Sequence, residues 1–220
     1  MLQHVYERAS LARYLTQIII ATDDQRIHDE ARRFGAPVVE TRRDHTSGTD
    51  RVAEAASSDA AGIVVNIQGD EPLIDPAAID AALLGMLDEP DIPMVTLKKR
   101  IEATDEFENP NVVKVITDRF DNAVYFSRSP IPYVRDDGER RHAVLYKHVG
   151  LYVYRREFLL GYSGLPIGPL EKAERLEQLR ALENGFKIRV VETEYDSIGV
   201  DTPEDLEKVA RLFAVQPVFD

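Results

Sequence analysis

The sequence contains no cysteine, which excludes disulfide bonds, thiolate metal sites and cysteine nucleophiles. It is also poor in basic residues, with 27 Lys and Arg against 39 Asp and Glu and a net charge of −12. A nucleic-acid-binding protein would need a basic stripe, so we expect no nucleic-acid partner. No apolar run approaches the length that crosses a membrane, and the amphipathic first residues do not resemble a signal peptide. We therefore expect a cytoplasmic protein with no membrane insertion.

The common kinds of phosphate-binding loop are missing as well. We find neither a glycine-rich loop nor a P-loop lysine. A helical pattern over residues 3–14 stands where a nucleotide-binding α/β unit normally begins with a strand. The composition is otherwise that of a soluble globular protein, with 44% hydrophobic and 30% charged residues. The 220 residues are sufficient for one α/β domain.

Strand-like and helix-like segments alternate along most of the chain, which predicts a parallel sheet with helices on its faces. The predicted strands cover 18–22, 37–40, 63–68, 92–97 and 187–192. The predicted helices cover 3–14, a segment capped by Asp23 or Asp24 and ending at Phe34, 49–60, 76–88 and 170–184, with a last helix starting near Pro203.

The middle of the chain breaks this alternation. Residues 112–117, 123–127 and 144–154 read as consecutive strands with no helix between them. The polar residues 118–122 suit a hairpin turn. Antiparallel strands inserted into a parallel sheet often build a substrate wall or an oligomer interface, so we expect one of these roles for the segment.

An acidic turn follows one of the predicted buried strands. The apolar run 63–65 leads to Gly69, and Asp70 and Glu71 come next. In open α/β sheets, ligands bind at the carboxyl ends of the strands, and carboxylates placed there suit Mg²⁺ with substrate phosphates. The alternative is that these acids begin a helix, but Asp75 and Pro76 already supply that helix start. We therefore expect the turn to belong to a metal-using, phosphate-handling site.

A second acidic site lies near the end of the chain. Thr202 and Asp205 form a pair like a capping box, with Pro203 at the first helical position. Asp201 lies one residue before the cap and has no such role, so it could join Asp70 in holding Mg²⁺. Acidic residues near helix starts are common, which is the alternative explanation.

Two arginines are candidates for binding anions. Arg51 follows a small-residue loop at a predicted helix start, where it could grip a phosphate or a base edge. The simple reading of that loop is a helix cap by Ser47 or Thr49. Arg128 follows the strand at 123–127 and suits a planar carboxylate on a substrate.

Polar residues on two further elements could form the wall of a pocket. His148 and Tyr152 share one face of a strand by period two, although a single histidine in a strand is usually structural. Glu177 and Gln178 flank the apolar stripe of the predicted helix 170–184 and could face a cleft. The alternative is a solvated helix face with pairs such as Glu171–Arg175.

Taken together, an ordered set of motifs resembles the 3-deoxy-manno-octulosonate (Kdo) cytidylyltransferases, or CMP-Kdo synthetases. The matching segments are 18–23, 46–51, 66–72, 125–132, 147–152, 176–180 and 200–206. The resemblance implies a single domain over 1–220, with a three-layer, Rossmann-like mixed α/β sheet of the nucleotide-diphospho-sugar transferase kind. It also implies an antiparallel insertion at 112–155 that forms a homodimer. Met1 aligns inside the family's first helix, so the preceding strand and its Arg-, Ser- and Lys-bearing loop are expected to be absent from this chain.

The resemblance further implies the reaction. CMP is transferred from CTP to Kdo, giving CMP-Kdo and pyrophosphate for lipopolysaccharide synthesis. The residue roles that the resemblance implies are Mg²⁺ binding for Asp70 and Asp201, nucleotide contact for Arg51 and Gln68, and sugar binding for Arg128, His148, Tyr152, Glu177 and Gln178. The alternatives are a related enzyme for sialic acid or 8-amino-Kdo, and an inactive protein that only dimerises or binds sugar.

Overall fold

The computed structural model describes residues 1–136, 143–200 and 202–215, and shows an α/β fold. The helices are α1 Leu2–Ala9, α2 Gln25–Arg33, α3 Gly48–Ser57, α4 Pro76–Leu87, α5 Thr104–Glu108, α6 Arg156–Tyr162, α7 Pro169–Glu174, α8 Leu179–Glu183 and α9 Pro203–Val215. The strands are β1 Ile20–Thr22, β2 Val38–Glu40, β3 Ile63–Asn66, β4 Met94–Arg100, β5 Lys114–Thr117, β6 Ala123–Ser127, β7 Tyr146–Arg155 and β8 Ile188–Glu192. Within the described part of the chain, no helix is both long enough and apolar enough to span a membrane.

The strands form two sheets. β1 and β2 pair in parallel, and a six-stranded sheet has the order β6-β5-β7-β4-β8, with β3 pairing to β7. β4 and β8 are parallel, whereas β7 runs antiparallel to β3, β4 and β5. The sheet is therefore mixed, as the resemblance implies, and not wholly parallel, as the alternation alone predicts.

Residues that alternate along the central strands divide the core into two layers. Val95 and Val153 face a cluster that includes α1 and α4, whereas Met94 and Tyr154 face a cluster that includes α3, α6 and α8. This alternation follows from the period of two in a strand. The result is a sheet with helices on both faces, which confirms the three-layer α/β prediction.

Helix caps explain several element bounds. The carboxylates of Asp24 and Asp75 accept backbone N–H groups at 2.8 and 2.9 Å and begin α2 and α4. Ser47 caps α3 by accepting the Asp50 N–H at 3.2 Å. Gly35 follows α2 with φ +81°, a conformation that favours glycine at a helix end. These starts agree with the sequence predictions.

The first helix is shorter than predicted. α1 ends at Ala9 and not at residue 14. The reason is a competing acceptor, because the carboxylate of Asp80 on α4 takes the backbone N–H groups of Arg13 and Tyr14. Residues 13–14 are thereby fixed to α4 and do not continue the helix.

The middle segment contains the expected antiparallel strands. β5 and β6 form a hairpin whose turn is closed by Asp118, which accepts the N–H groups of Phe120 and Asn122. β7 lies inside the main sheet, between β4 on one side and β3 with β5 on the other. The assignment of 112–155 as a dimer-forming insertion stays a prediction.

The predicted helix 170–184 is wrong in its centre. The chain forms α7 and α8 separately, and Arg175 between them is left-handed with φ +52°. A buried ion pair divides the predicted helix. Glu171 is buried and binds Arg180 at 2.6 and 2.9 Å, whereas the sequence predicts Arg175 as its partner. The apolar stripe also fails at its start, where Leu170 is 42% exposed. Glu177 and Gln178 consequently lie at the junction before α8 and not on a continuous helix face.

Candidate active site

A cavity of about 180 Å³ opens where α3, the end of β3, β7, α6 and the α7–α8 junction meet. Its lining is Gly48, Thr49, Gln68, Tyr152, Tyr154, Tyr162, Glu177 and Gln178. These side chains supply phenols, amides, one hydroxyl and one carboxylate. Among the described residues that line it there is no lysine or arginine, so the cavity suits the hydroxyl groups of a neutral or polyol part of a ligand.

Glu177 is the carboxylate of this cavity and is held from several sides. The hydroxyls of Ser47 and Thr49 donate to its two oxygens at 3.2 and 3.1 Å, and the Tyr162 hydroxyl donates to its backbone carbonyl at 2.8 Å. Burial raises the pKa of Glu177 above its ordinary value, and the two hydroxyl donors partly oppose that shift. The arrangement fixes an acceptor that can receive a hydrogen bond from a sugar hydroxyl.

Three tyrosines form one wall of the cavity. The rings of Tyr152 and Tyr154 stack at 6.0 Å between centroids, and Tyr162 meets Tyr154 edge-on at 6.1 Å. Burial raises the pKa of all three phenols, so they stay protonated and can donate hydrogen bonds at neutral pH. Tyr152, for which the resemblance implies sugar binding, therefore lines the cavity, and its contact with a sugar stays a prediction.

His148 lies behind the wall. It is next to Tyr152, with ring centroids 5.5 Å apart, but it is not among the lining residues. Its Nε2 is 2.8 Å from the Thr96 hydroxyl, and its ring packs edge-on against Phe126. Burial lowers the pKa of His148 from 6.5 to about 3, so the ring is neutral at physiological pH. These contacts favour support of Tyr152 over direct contact with a ligand.

Arg128 also lies outside the cavity lining. Its Nε donates to the backbone carbonyl of Glu174 at 2.8 Å, and its Nη1 donates to that of Pro110 at 3.1 Å. The carboxylate of Glu174 accepts the Arg128 backbone N–H at 2.9 Å. In this conformation the Arg128 guanidinium donates hydrogen bonds to backbone carbonyls of two different segments of the chain.

The predicted nucleotide residues lie on the side of β1 and β3. Gln68 lines the cavity, whereas Arg51 does not. The guanidinium of Arg51 donates to the Thr41 hydroxyl at 2.6 Å and pairs with Asp23 at 3.1 Å. Arg51 therefore joins the ends of β1 and β2 to α3, at the edge of the site.

The two acids of the acidic turn have different roles. Glu71 is buried, and its carboxylate accepts the Tyr195 hydroxyl at 3.1 Å, a structural role that is not visible in the sequence. Burial raises the pKa of Glu71 above its ordinary value. Asp70 is only half-buried, and its backbone carbonyl accepts the Val200 N–H at 3.0 Å. The turn thus leaves Asp70 as its available carboxylate.

The second predicted metal ligand, Asp201, lies outside the described residues. The described part of the chain contains no group of three or more His, Asp or Glu residues arranged to hold a metal ion by themselves. The pairing of Asp70 with Asp201 stays a prediction.

Sequence reasoning did not assign a ligand-facing role to Thr49, Tyr154 or Tyr162. Thr49 was interpreted only as a possible helix cap. Tyr154 lies two residues after Tyr152 on the same strand face, so the period of two could have identified it. Tyr162 carries no such signal, because only the tertiary packing of α6 brings it to the cavity.

Comparisons with known proteins identify the family of the chain. The cytidylyltransferase family model matches residues 1–188. A 3-deoxy-manno-octulosonate cytidylyltransferase from Solibacter usitatus is 68% identical over 213 residues, covering 97% of this chain and 84% of the relative. The enzyme of the same name from Geobacter sulfurreducens is 55% identical over 217 residues, covering 95% and 87%.

A solved structure of a CMP:2-keto-3-deoxy-manno-octonic acid synthetase complexed with CTP matches with a TM-score of 0.92 and 45% identity, covering 97% of this chain and 87% of that one. The fold is therefore that of a nucleotidyltransferase of the cytidylyltransferase class. Within that class, the chain belongs to the 3-deoxy-manno-octulosonate cytidylyltransferase family.

Proposed function

We propose that this chain transfers CMP from CTP to Kdo, releasing pyrophosphate and forming CMP-Kdo. The observation that carries the proposal is the cavity lined with hydroxyl-binding groups that meets the acidic turn at Gln68. Kdo is a polyhydroxylated sugar acid, and phenols, amides and a carboxylate are the groups that bind hydroxyls. The relatives that carry the name of this activity support the same substrate pair.

The reaction needs positioning more than covalent help. The anomeric hydroxyl of Kdo attacks the α-phosphorus of CTP. The bond between that phosphorus and the oxygen that bridges it to the β-phosphorus breaks, and pyrophosphate leaves with the electrons of that bond. The hydroxyl proton is lost to solvent. Holding the two reactants in line supplies much of the rate. Tyr152, Glu177 and Gln178 are the residues we assign to Kdo, because they line the cavity.

Two predicted sugar residues take modified roles in this proposal. His148 acts by holding the ring of Tyr152, which it contacts from behind. Arg128 remains the candidate for the Kdo carboxylate because a guanidinium suits a planar carboxylate. To reach that carboxylate, its guanidinium must leave the backbone carbonyls of Pro110 and Glu174.

On the nucleotide side, we assign Arg51 and Gln68 to CTP, and Asp70 with Asp201 to Mg²⁺. The donor set fits, since Mg²⁺ takes one or two carboxylates and completes its shell with water and substrate phosphates. The hydrogen bond from the Val200 N–H to the Asp70 carbonyl supports this assignment, because it fixes Val200, the residue before Asp201, at the acidic turn. When bound, Mg²⁺ neutralises phosphate charge at the transferring group.

We also propose a cytoplasmic homodimer that acts in lipopolysaccharide synthesis. Exposed apolar residues in the middle segment support the dimer, with Tyr133 87% exposed and Phe120 and Val124 each more than half exposed. Apolar residues exposed together in a contiguous patch often mark a protein–protein interface. Sedimentation of the purified chain would test the dimer directly.

The activity is tested by incubating the chain with CTP, Kdo and Mg²⁺. Pyrophosphate release is measured, and the molecular mass of the product is determined by mass spectrometry. We expect CMP-Kdo from Kdo and little product from sialic acid. Parallel reactions with 8-amino-Kdo decide between the two closely related sugars. Absence of CMP-Kdo, or faster use of another sugar acid, would contradict the proposal.

A further inference from the structure

Thr49 connects α3 to the carboxylate of the cavity. It is the second residue of α3, it is 5% exposed, and its hydroxyl donates to Oε2 of Glu177 at 3.1 Å. The hydroxyl also interacts with the phenol of Tyr154 on β7. One small side chain thus contacts the two walls of the cavity.

The backbone of Glu177 is fixed independently of Thr49. Its carbonyl accepts the Tyr162 hydroxyl at 2.8 Å and the Arg180 N–H at 3.0 Å. The orientation of its carboxylate, in contrast, depends on Ser47 and Thr49. Loss of one of these hydroxyls is therefore expected to turn the carboxylate without moving the chain that carries it.

Of the two donors, Thr49 is the one that can be tested cleanly. Ser47 also caps α3 by accepting the Asp50 N–H, so its loss would disturb the helix start as well. Thr49 lies after the cap, and valine has the same shape without the hydroxyl. The substitution therefore isolates the bond to Glu177.

We propose that Thr49 is a positioning residue for Kdo, holding the Glu177 carboxylate in the orientation that accepts a hydroxyl of the sugar. The inference rests on the proposed function, since Kdo is the ligand assigned to the cavity. Thr49 acts through Glu177, and the nucleotide side of the site is not involved.

The charged and titratable groups around Glu177 set the pH dependence that this role predicts. They are Asp50 on α3, Arg180 on α8, Tyr152 and Tyr154 on β7, and Tyr162 on α6. Burial raises the pKa of Glu177, Asp50 raises it further, and the hydroxyl donors and Arg180 lower it. Removing the Thr49 hydroxyl therefore raises this pKa, so the loss of activity on acidification should begin at a higher pH.

The test compares Thr49→Val with Thr49→Ser in steady-state kinetics with varied Kdo and varied CTP. We expect the valine variant to raise the KM for Kdo about tenfold, as for a hydrogen bond to a charged group, with the KM for CTP within twofold. Serine should restore the KM for Kdo, and the acid limb of kcat/KM for Kdo should move to higher pH only in the valine variant. Thr117→Val is the matched control, because it also removes one threonine hydroxyl, but one that binds Lys98.

A valine variant with an unchanged KM for Kdo and an unmoved acid limb would overturn the inference. If valine at this position does not fold, Thr49→Ala makes the same comparison. If the wild type forms no CMP-Kdo, the proposed function fails, and a carbon-13 titration of the Glu177 carboxyl, assigned with Glu177→Gln, decides the positioning role. A higher Glu177 pKa in the valine variant supports that role, and an unchanged pKa overturns it.

Discussion

The two sides of the candidate site are built differently. On the pocket side, Glu177 is bound by two hydroxyls, and its backbone is held by Tyr162. On the acidic side, Gln68 and Asp70 follow β3, a strand of four residues that is mostly only half-buried. One side has its polar groups satisfied by the protein, whereas the other presents a carboxylate at an open turn.

This difference separates two ways of preparing a site. The pocket side is organised on folding, so a ligand there meets groups already in position, which saves ordering entropy. The acidic side presents Asp70, the carboxylate proposed to bind Mg²⁺, and the remaining ligands of that metal would arrive with the substrate as phosphate oxygens. Substitutions on the pocket side should therefore change both stability and sugar use, and substitutions on the acidic side should change activity alone.

The largest expected effect is on the acidic side. Asp70→Asn should lower kcat at least about 10³-fold, equivalent to about 4 kcal/mol, because the carboxylate proposed to bind Mg²⁺ is lost. The free energy of unfolding should change by less than about 0.5 kcal/mol, as for a half-buried residue at a turn. Kinetics at saturating Mg²⁺ and urea unfolding measure the two quantities, with the exposed Asp91→Asn as control. A large loss of stability in Asp70→Asn would break the comparison.

The next effect is on the pocket side. Arg180→Met leaves the buried carboxylate of Glu171 without its partner and should reduce the free energy of unfolding by about 3 kcal/mol. Urea denaturation measures this. The double variant Glu171→Gln with Arg180→Met should recover part of the loss, because no unpaired buried charge remains. Equal stability of the single and double variants would contradict the explanation.

A third effect concerns the support behind the wall. The pKa of His148 is about 3 in the folded protein and 6.5 in the unfolded chain. As the pH falls, the unfolded chain therefore binds a proton on this histidine before the folded protein does. The contribution of neutral His148 to the free energy of unfolding is complete above pH 6.5 and is lost as the pH falls towards 3. At pH 5 the loss is roughly 2 kcal/mol. His148→Gln should remove that part of the acid sensitivity. Unfolding at pH 7.5 and 5 tests this, with His4→Gln as the control at a histidine whose side chain is 51% exposed.

The smallest effect sharpens the comparison within the pocket side. Tyr162→Phe removes one donor to the Glu177 carbonyl, but that carbonyl keeps the Arg180 N–H. We therefore expect a cost of about 1 kcal/mol in stability and a rise of a few-fold in the KM for Kdo. The KM for CTP should not change. Tyr14→Phe, at an exposed tyrosine, is the control, and an equal rise in both KM values would contradict the separation of the two sides.

The sequence was sufficient for the elements whose signals are local. A cap at Asp23 or Asp24 predicts the start of α2, and Asp75 predicts that of α4; the structure has Asp24 as the first cap and confirms Asp75 as the second. The α7–α8 region could not be predicted in the same way. Its apolar spacing is helical, but the buried pair of Glu171 with Arg180 divides it, and no local rule anticipates a partner nine residues away.

The site was predictable to the same extent. Tyr152, Glu177, Gln178 and Gln68 were identified from their motifs and line the cavity. Arg128 and His148 came from motifs of similar quality, yet their side chains are turned to backbone carbonyls and to Thr96. A motif shows which residues lie near a site, whereas tertiary contacts decide which of them face it.

Long-range hydrogen bonds on both sides of the candidate site have a consequence for the order of folding. The bond from Ser47 to Glu177 joins residues 130 positions apart, and the bond from Tyr195 to Glu71 joins residues 124 apart. Contacts of such long range form late, because the intervening chain must first be closed into a loop. During synthesis, α3 and the acidic turn therefore emerge from the ribosome well before their partners. A chain interrupted before Glu177 would therefore lack the carboxylate that Ser47 and Thr49 bind, and its pocket would not be enclosed.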